Sequence, residues 1–461
     1  MKGDLDAQHV LDNKHRGLTF GLVLGITLFA FENLAIITVA PDIAEALNGI
    51  TLYGWIFTGF LLASLFSTVL GGEWADKYGA SRPLLIGLIL FGIGLLLSGF
   101  APTMFLLILG RVVQGLGGGA IITALYAALN LAYSDALRPR MIALMSSAWV
   151  VPALLGPALA GFIAEVSSWR ILFWGTVPLL VVVAVLTLPA FRSLEKKNSR
   201  PQQSRLPAAL GLVVGTGLLL LGFTLSSVVL VAVMVGGGAF IGFSSLRHLI
   251  PSGTFTLASG LPALIATRGL SFAAFVGIEV FLALMLSEIH GFSSALTGAV
   301  IAVGTISWTL GTWLQDRLEK KGGSGRPGRI VWGTVVLLIG LAFQIIVLLT
   351  PYLPLPLTIT GWLIAGVGIG LAHSTIAVLA FSLAPQGEEG NVSASLQLAD
   401  QFTSALCTGL GGALLAFAVS ANWGERYGIL LAFLLSGILG LFSIFAAYRV
   451  SGRALVAKAH D

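Results

Sequence analysis

Apolar runs of about 20 residues recur along this chain from Gly17 almost to Ser451. A helix of that length crosses the hydrocarbon core of a bilayer, which is roughly 30 Å thick. Apolar residues make up 56% of the 461 residues and charged residues only 10%, which leaves too little polar surface for a water-soluble fold. The sequence therefore predicts an all-α membrane protein in contact with the lipid bilayer, without a large soluble domain.

The apolar stretches account for fourteen predicted spans. The stretch 206–245 can be read as one long buried segment or as two short spans. As helix it would be about 60 Å long, twice one bilayer core, and the polar residues of 224–227 interrupt it midway. We therefore predict a helical hairpin there. The spans are 17–40, 51–72, 82–100, 103–132, 140–165, 169–191, 206–224, 227–245, 264–287, 293–315, 329–350, 353–383, 392–419 and 427–449.

The positions of Lys and Arg support this count, because basic residues concentrate in loops on the cytoplasmic side. With a hairpin at 206–245, all the basic clusters fall on the side of the two termini, and only Arg170 and Arg426 lie opposite. A single span there would move the cluster at 317–329 to the outside. The net charge of +5 thus reflects membrane orientation rather than a nucleic-acid partner. We predict a multi-pass cell-membrane protein with both termini in the cytoplasm.

The predicted spans form two groups of six around the hairpin, the plan of transporters built from two similar halves. The loops after the second span of each group resemble one another: GEWADKYGASR at 72–82 and GTWLQDRLEKK at 311–321. The predicted organisation is a six-helix half at 1–191, a basic linker at 192–205, the inserted hairpin at 206–245, a connector at 246–263 and a second six-helix half at 264–461.

Several chemistries lack sequence support. The single cysteine, Cys407, lies in an apolar run, so neither a disulfide framework nor a cysteine metal site is expected. The glycine strings at 115–119 and 366–370 lie within spans, and the chain contains no phosphate-binding Gly-x-x-x-x-Gly-Lys-Ser/Thr motif. Only His373 among six histidines lies well inside a span. We predict no metal, no cofactor and no enzymatic activity, with a membrane-embedded enzyme or a sensor as the rival classes.

Two ionisable residues lie deep in predicted spans of the first half. Arg111 follows several apolar residues of span 4, and Glu32 lies inside span 1, nine residues before Pro41. A buried charge in a membrane normally needs a partner or a water-filled cavity. A carboxyl group at Glu32 that binds its proton in one conformation and releases it in another would suit the coupling of transport to proton flow. For Arg111, a structural ion pair is the plainer interpretation.

These residues, with two further segments, resemble motifs of the major facilitator superfamily. The loop after span 2 is similar to the family's loop signature, with Ser81 departing from it. RVVQGLGGGA and FENLAIITVAPDI resemble the family's motifs in spans 4 and 1. AWVVPALLGPALAGF resembles the antiporter motif of span 5, with Pro152 and Ala160 in place of usual glycines. The matching residues are Gly72, Asp76, Lys77, Gly79 and Arg82; Arg111, Gln114 and Gly115; Glu32; and Gly156, Pro157 and Gly161.

Together with the fourteen-span count, these motifs resemble the branch of drug:proton antiporters, which includes multidrug and lipid exporters. The resemblance implies the major facilitator fold and proton-driven export of hydrophobic or amphipathic compounds, with lipid export or flipping as the alternative. It implies proton coupling through Glu32 and Arg111. It also implies a conformational gate at the loop signature and at its counterpart, Asp316 and Arg317. We further expect a monomer whose partners are the bilayer, its cargo and protons.

The second half contributes further candidates. Glu279, His373 and Asp400 are its remaining deep ionisable groups, with Gln397 and Gln401 beside Asp400 at helical spacing, and we predict that they line the cavity. We expect Arg268 to snorkel to the nearer membrane surface without a transport role. Glu165 and Arg426, from opposite halves, form a possible outer gate pair, although two unrelated surface charges explain them equally simply.

Overall fold

A computed structural model describes residues 16–134, 137–192, 204–225, 227–320, 325–350, 355–385 and 389–450. In these ranges the chain folds into helices joined by short loops, and most of the predicted linker 192–205 lies outside them. The helices are α1 (Arg16–Ala46), α2 (Tyr53–Tyr78), α3 (Ser81–Gly99), α4 (Met104–Ala132), α5 (Arg138–Ser147), α6 (Val150–Val166), α7 (Arg170–Arg192), α8 (Leu206–Gly222), α9 (Val228–Leu249), α10 (Leu261–Leu284), α11 (Ser294–Lys320), α12 (Arg326–Leu349), α13 (Leu355–Ser382), α14 (Glu389–Ser420) and α15 (Glu425–Val450).

Within the described ranges, thirteen helical segments are long and apolar enough to cross a membrane, and α8 is a shorter apolar helix of 17 residues. Helices α5 and α6 together make one of these segments, and a π-helical turn, Met285–Ile289, extends α10. The predicted all-α membrane fold is therefore confirmed. The stretch at 206–245 does form two helices, α8 and α9, which pack antiparallel with Gly215 against Gly238 and Gly242.

The fifth predicted span, 140–165, is interrupted at Ala148 and Trp149, between α5 and α6. Pro152 causes this break, because proline has no backbone N–H to donate to the carbonyl of Ala148 and its ring crowds that carbonyl. The hydroxyl of Thr27 on α1 donates to the Ala148 carbonyl instead, at 3.2 Å. A neighbouring helix thus satisfies the group that the proline leaves free, as expected for a break in a membrane helix.

The bundle has a near face, where α1 begins at Arg16, and a far face, where α1 ends at Ala46. The first and second helix groups meet closely at the far face. Gly54 of α2 packs directly on Gly412 of α14, and a side chain at either position would collide with the other backbone. One turn deeper, the hydroxyl of Thr58 lies 3.1 Å from that of Thr408. The far ends of the two groups are therefore packed together.

The α8–α9 hairpin lies along the seam between α2 and α14. Leu212 of α8 and Leu246 of α9 pack with Leu65 of α2, and Phe402 of α14 borders this cluster. At the near face the carboxylate of Glu73 on α2 accepts hydrogen bonds from the Ser204 hydroxyl and the Arg205 backbone N–H, just before α8 begins. The hairpin is thus joined to both helix groups.

Candidate functional site

The deepest charges of the first helix group lie together, although α1 and α4 are distant in sequence. The guanidinium of Arg111 donates from Nη1 to Oε1 of Glu32 at 2.5 Å and to Oε1 of Gln114 at 2.7 Å. Its Nε donates to the carbonyl of Ile56 at 3.2 Å, and its plane lies over the ring of Phe60. Glu32 and Arg111 are 5% and 1% exposed, so this ion pair is shielded from solvent. The cluster joins α1, α2 and α4 of the first group.

Two polar atoms of this cluster remain without a hydrogen bond in the described part of the chain. They are Oε2 of Glu32 and Nε2 of Gln114, both fully buried. A buried polar atom without a hydrogen bond lowers the stability of the folded protein by on the order of 1–3 kcal/mol. Such atoms are therefore uncommon in folded proteins. The second oxygen of Glu32 can accept a proton without first losing another hydrogen bond.

The prediction that Arg268 extends to the nearer membrane surface is wrong. Its side chain is largely buried in the bundle and binds both carboxylate oxygens of Asp400 on α14, at 2.8–3.1 Å. His373 on α13 approaches the same carboxylate, with Nε2 3.4 Å from Oδ2. Both partners of the ion pair are largely buried, and burial favours a bidentate pair over a solvated arginine head. Spans α10, α13 and α14 are thereby connected.

Glu279 lies on the same face of α10 as Arg268 but is separate from this cluster. It is 5% exposed, and among the described residues it has neither a hydrogen bond nor an ion pair. Between the two charges lies an aromatic wall in which Phe272 contacts Trp308 and His373, and Phe275 stacks on Trp362. Gln397 and Gln401 are half-buried on α14. Their predicted role in lining the cavity remains a prediction.

The loop signature ends α2 at the near face. Gly79 has a φ of +83°, a backbone conformation that only glycine adopts readily, and this ends the helix immediately before α3. Gly72 packs near Thr123 of α4. The charged groups of Lys77 and Arg82 both lie over the ring of Tyr78, each 5.2 Å from its centroid. Asp76, the acid of the motif, lies in the last turn of the helix. The gating role of this loop remains a prediction.

In the second helix group, a residue outside the predicted gate makes the inter-helix contact. Among the described residues, Asp316 pairs with Lys320 of its own helix alone, at 2.6 Å, and both are exposed. Glu319 instead binds Arg326 and Arg329 at the start of α12, the latter at 2.9 Å. Asp316 and Arg317 match the loop signature in sequence, so spacing pointed to them. The sequence signal for Glu319 is the pair of basic residues, Arg326 and Arg329, that follows it a few positions later in the chain.

The proline and glycine motif of span 5 contacts the second helix group. Gly161 packs on the backbone of Ser294, and Gly298 of α11 packs on the carbonyl of Pro157, leaving no room for side chains. Gly156 lies beside Phe31 of α1, and Pro152 forms the break described above. Small residues thus permit a close crossing of α6 and α11 at the far face.

The predicted pair of Glu165 and Arg426 is not formed within the described ranges. Glu165 accepts a hydrogen bond from the backbone N–H of Ala295 at 3.2 Å, at the start of α11. Arg426 donates to the carbonyls of Leu348 and Leu349, at the end of α12. Each charge interacts with the helix terminus of opposite polarity, because unpaired N–H and carbonyl groups at helix ends attract an anion and a cation respectively.

A membrane-spanning bundle of two packed helix groups, with buried ion pairs inside it, is typical of transporters of small molecules. The chain belongs to the Major Facilitator Superfamily, whose family model matches residues 22–408. It is therefore a multi-pass membrane transporter and not an enzyme, and the resemblance seen in the motifs is confirmed. Its helix count is compatible with the fourteen-helix branch of drug exporters.

Curated relatives carry the names of drug exporters. A probable multidrug-efflux transporter of Mycobacterium tuberculosis is 25% identical over 469 aligned positions, covering 96% of each chain. The multidrug efflux pump SdrM of Staphylococcus aureus is 26% identical over 314 positions, covering 65% of this chain and 68% of the pump. The relatives thus place multidrug efflux among the functions of similar bacterial proteins.

Solved structures share the fold at low identity. A crystal structure of a D-xylose-proton symporter matches with a TM-score of 0.68 and 15% identity, covering 94% of this chain and 97% of the symporter. A bacterial homologue of the human lysosomal transporter Spinster matches with a TM-score of 0.67 and 17% identity, covering 95% and 98%. These similarities establish the fold alone.

Proposed function

We propose that this transporter exports hydrophobic or amphipathic compounds in exchange for protons. The observation that carries the proposal is the buried cluster of Glu32, Arg111 and Gln114, in which one carboxylate oxygen is left without a hydrogen bond. The names of the relatives support multidrug cargo. Lipid export remains the alternative cargo, and neither of these two relatives is named for it.

In the proposed mechanism the proton binds Glu32 at its free oxygen. Protonation removes the negative charge that Arg111 holds, and Arg111 retains its contacts with Gln114 and the carbonyl of Ile56. The loss of the ion pair loosens α1 from α4, so the occupancy of this site by a proton can bias the packing of the two halves. Cargo and proton then alternate within one cycle.

The same proposal includes the organisation and orientation inferred from the basic loops. The halves at 1–191 and 264–461 rock around a central cavity, the linker, hairpin and connector lie between them, and the near face is cytoplasmic. The packed far face is then the closed outer side, with cargo entering from the near face. Asp76 and the loop around it act as the near-face gate, the transporter works as a monomer, and no cofactor takes part.

Glu32→Gln tests the proposal because glutamine keeps the shape of the side chain but cannot bind a proton. The purified transporter is reconstituted in proteoliposomes, and the movement of ethidium is followed after a proton gradient is applied. We expect wild-type flux to follow the gradient and the variant to lose this dependence. Glu45→Gln, an exposed residue at the end of the same helix, is the matched control and should leave coupling intact.

The outcomes separate the parts of the proposal. Wild-type flux that ignores the proton gradient but follows a sodium gradient would exclude proton coupling. A Glu32→Gln variant with unchanged coupling would exclude Glu32 as the proton site. Gradient-driven movement of a fluorescent phospholipid between leaflets, without movement of ethidium, would favour lipid export over drug export.

A further inference from the structure

Glu279 in the second half is a buried acid that the proposed mechanism does not use. It is 5% exposed and lies near the middle of the extended α10, the first helix of its half, as Glu32 lies near the middle of α1. Unlike Glu32, it has no hydrogen bond or ion pair with any described residue. An isolated carboxylate in such a position is very costly, so the carboxyl group is stable there only when it is neutral.

The packing of the two halves explains why this acid lacks a cation. Helices α3 and α4 pack through glycines in the same pattern as α12 and α13. In the first half Gly87 packs on Gly117 and Gly94 on Gln114; in the second half Gly333 packs on Gly368 and Gly340 on Ala365. Arg111 precedes Gln114 by three residues, and Trp362 precedes Ala365 by three.

Trp362 therefore occupies the position in α13 that Arg111 occupies in α4. Its indole is fully buried, stacks on Phe275 with ring centroids 4.6 Å apart, and donates from Nε1 to the carbonyl of Ile301 at 3.3 Å. The second half thus has an aromatic ring where the first half has a guanidinium. No permanent positive charge among the described residues holds Glu279 in its anionic form.

Glu279 lies next to the contact that closes the far face. The hydroxyl of Tyr53 on α2 donates to the carbonyl of Val280 at 2.9 Å, and the ring of Tyr53 packs on Phe281. Both contacts join the first helix group to α10. When the far ends separate, these contacts break beside Glu279 and water from the far face can reach it. When they are closed, the acid is sealed from that side.

The other titratable groups around α10 do not replace the missing partner. His373 faces Asp400, which is bound by Arg268, and Cys407 lies near Gly277 beside Ser436. Glu32 is held by Arg111. On α11, α12 and α15 the charged groups lie towards the helix ends, and on α2 the titratable neighbour is Tyr53. Glu279 therefore has no titratable or cationic partner among the described residues.

We propose that Glu279 is a second proton-binding site of the transporter, loaded from the far face and separate from the Glu32 site. The neutral acid releases its proton to water of the central cavity and becomes a carboxylate, and it takes a proton back from water at the far face. The inference rests on the proposed proton-coupled function. It implies that one more proton is exchanged per transported molecule than Glu32 alone would provide.

Infrared difference spectroscopy tests the protonation state without any cargo. Purified transporter in lipid at neutral pH is compared before and after exchange into heavy water, and the carbonyl stretching band of a protonated carboxylic acid is measured. We expect this band in the wild type, in Glu32→Gln and in Glu279→Asp, and its loss in Glu279→Gln. Glu288→Gln, an exposed acid in the turn after α10, is the matched control and should retain the band.

Proton stoichiometry tests the coupling. Proteoliposomes are held at a fixed proton gradient, and the steady-state ratio of ethidium across the membrane is measured. Loss of one exchanged proton should lower this ratio about tenfold for a gradient of about one pH unit in Glu279→Gln. Glu288→Gln should leave it unchanged. Thermal unfolding of each variant measures whether the fold is retained. If Glu279→Gln does not fold, Glu279→Asp, which keeps a carboxyl group, is the variant to compare, and we expect it to give the wild-type ethidium ratio.

A wild-type protein without the carboxylic acid band, or a Glu279→Gln variant that retains both the band and the full ethidium ratio, would overturn the inference. Loss of the band with an unchanged ratio would also overturn it, because Glu279 would then be protonated without taking part in coupling. Wild-type flux that does not depend on the proton gradient would instead overturn the proposed function, while the spectrum still reports the state of Glu279.

Discussion

The guanidinium of Arg268 on α10 binds both carboxylate oxygens of Asp400 on α14, with the shortest separation 2.8 Å. Both side chains are largely buried, at 12% and 13% exposure. The pair joins the first and fifth helices of the second half. Because each charge compensates the other in a poorly solvated place, the two residues stabilise the bundle only together.

Removing one partner of this pair should destabilise the protein more than removing both. Arg268→Leu leaves the Asp400 carboxylate buried without its cation, and we expect a loss of about 3–5 kcal/mol in the free energy of unfolding. The double variant Arg268→Leu, Asp400→Leu should recover most of that loss. Thermal unfolding in detergent measures both effects. Equal stability of the single and double variants would mean that the pair is not coupled.

The hydrogen bond from Thr27 to the Ala148 carbonyl should matter only because Pro152 leaves that carbonyl free. Thr27→Val should lower the free energy of unfolding by about 1 kcal/mol in the wild type, within the range measured for hydrogen bonds between membrane helices. In a Pro152→Ala background the backbone N–H gained at position 152 can bind the carbonyl, so Thr27→Val should then cost less. A double-mutant cycle on unfolding measures this coupling, and additive effects would contradict it.

The membrane fold could be predicted from the sequence because length and polarity of a span are local properties of the chain. The two-helix nature of 206–245 followed from the same reasoning, as α8 and α9 confirm. The bounds of the helices were less predictable. Helix α1 continues past Pro41 to Ala46, and span 5 breaks at Ala148.

Which charges meet inside the bundle was only partly predictable. Glu32 and Arg111 could be named as deep charges that need partners, and they do lie together. The distance of Arg268 from the end of its span says nothing about the side of α10 that it occupies. Opposite charge predicts a pair of Glu165 and Arg426, but helix termini provide both of them with backbone partners. Tertiary packing decides such choices.

The close contact between Gly54 and Gly412 should keep the far face closed. A valine at position 54 would collide with the backbone of α14, so Gly54→Val should separate α2 from α14 at that face. Spin labels at Ala46→Cys and Ser420→Cys, in a Cys407→Ser background, report the separation by pulsed electron resonance. We expect a longer distance in Gly54→Val. Gly217→Val, on an open side of α8, is the matched control and should not change it.

His290, in the loop between α10 and α11, should make the protein sensitive to acid. Partial burial, with the nearby charge of Arg426 as the smaller cause, holds the pKa of its imidazole below the usual value. The folded state therefore binds a proton less readily than the unfolded state, and stability is full above the unfolded pKa of about 6.5 and falls as the pH drops below it. Thermal unfolding measured between about pH 7.5 and 5 should show a smaller acid loss in His290→Gln than in the wild type. The same substitution at His248, which is exposed at the end of α9, should leave the wild-type pH dependence intact, and identical profiles for wild type and His290→Gln would contradict the assignment.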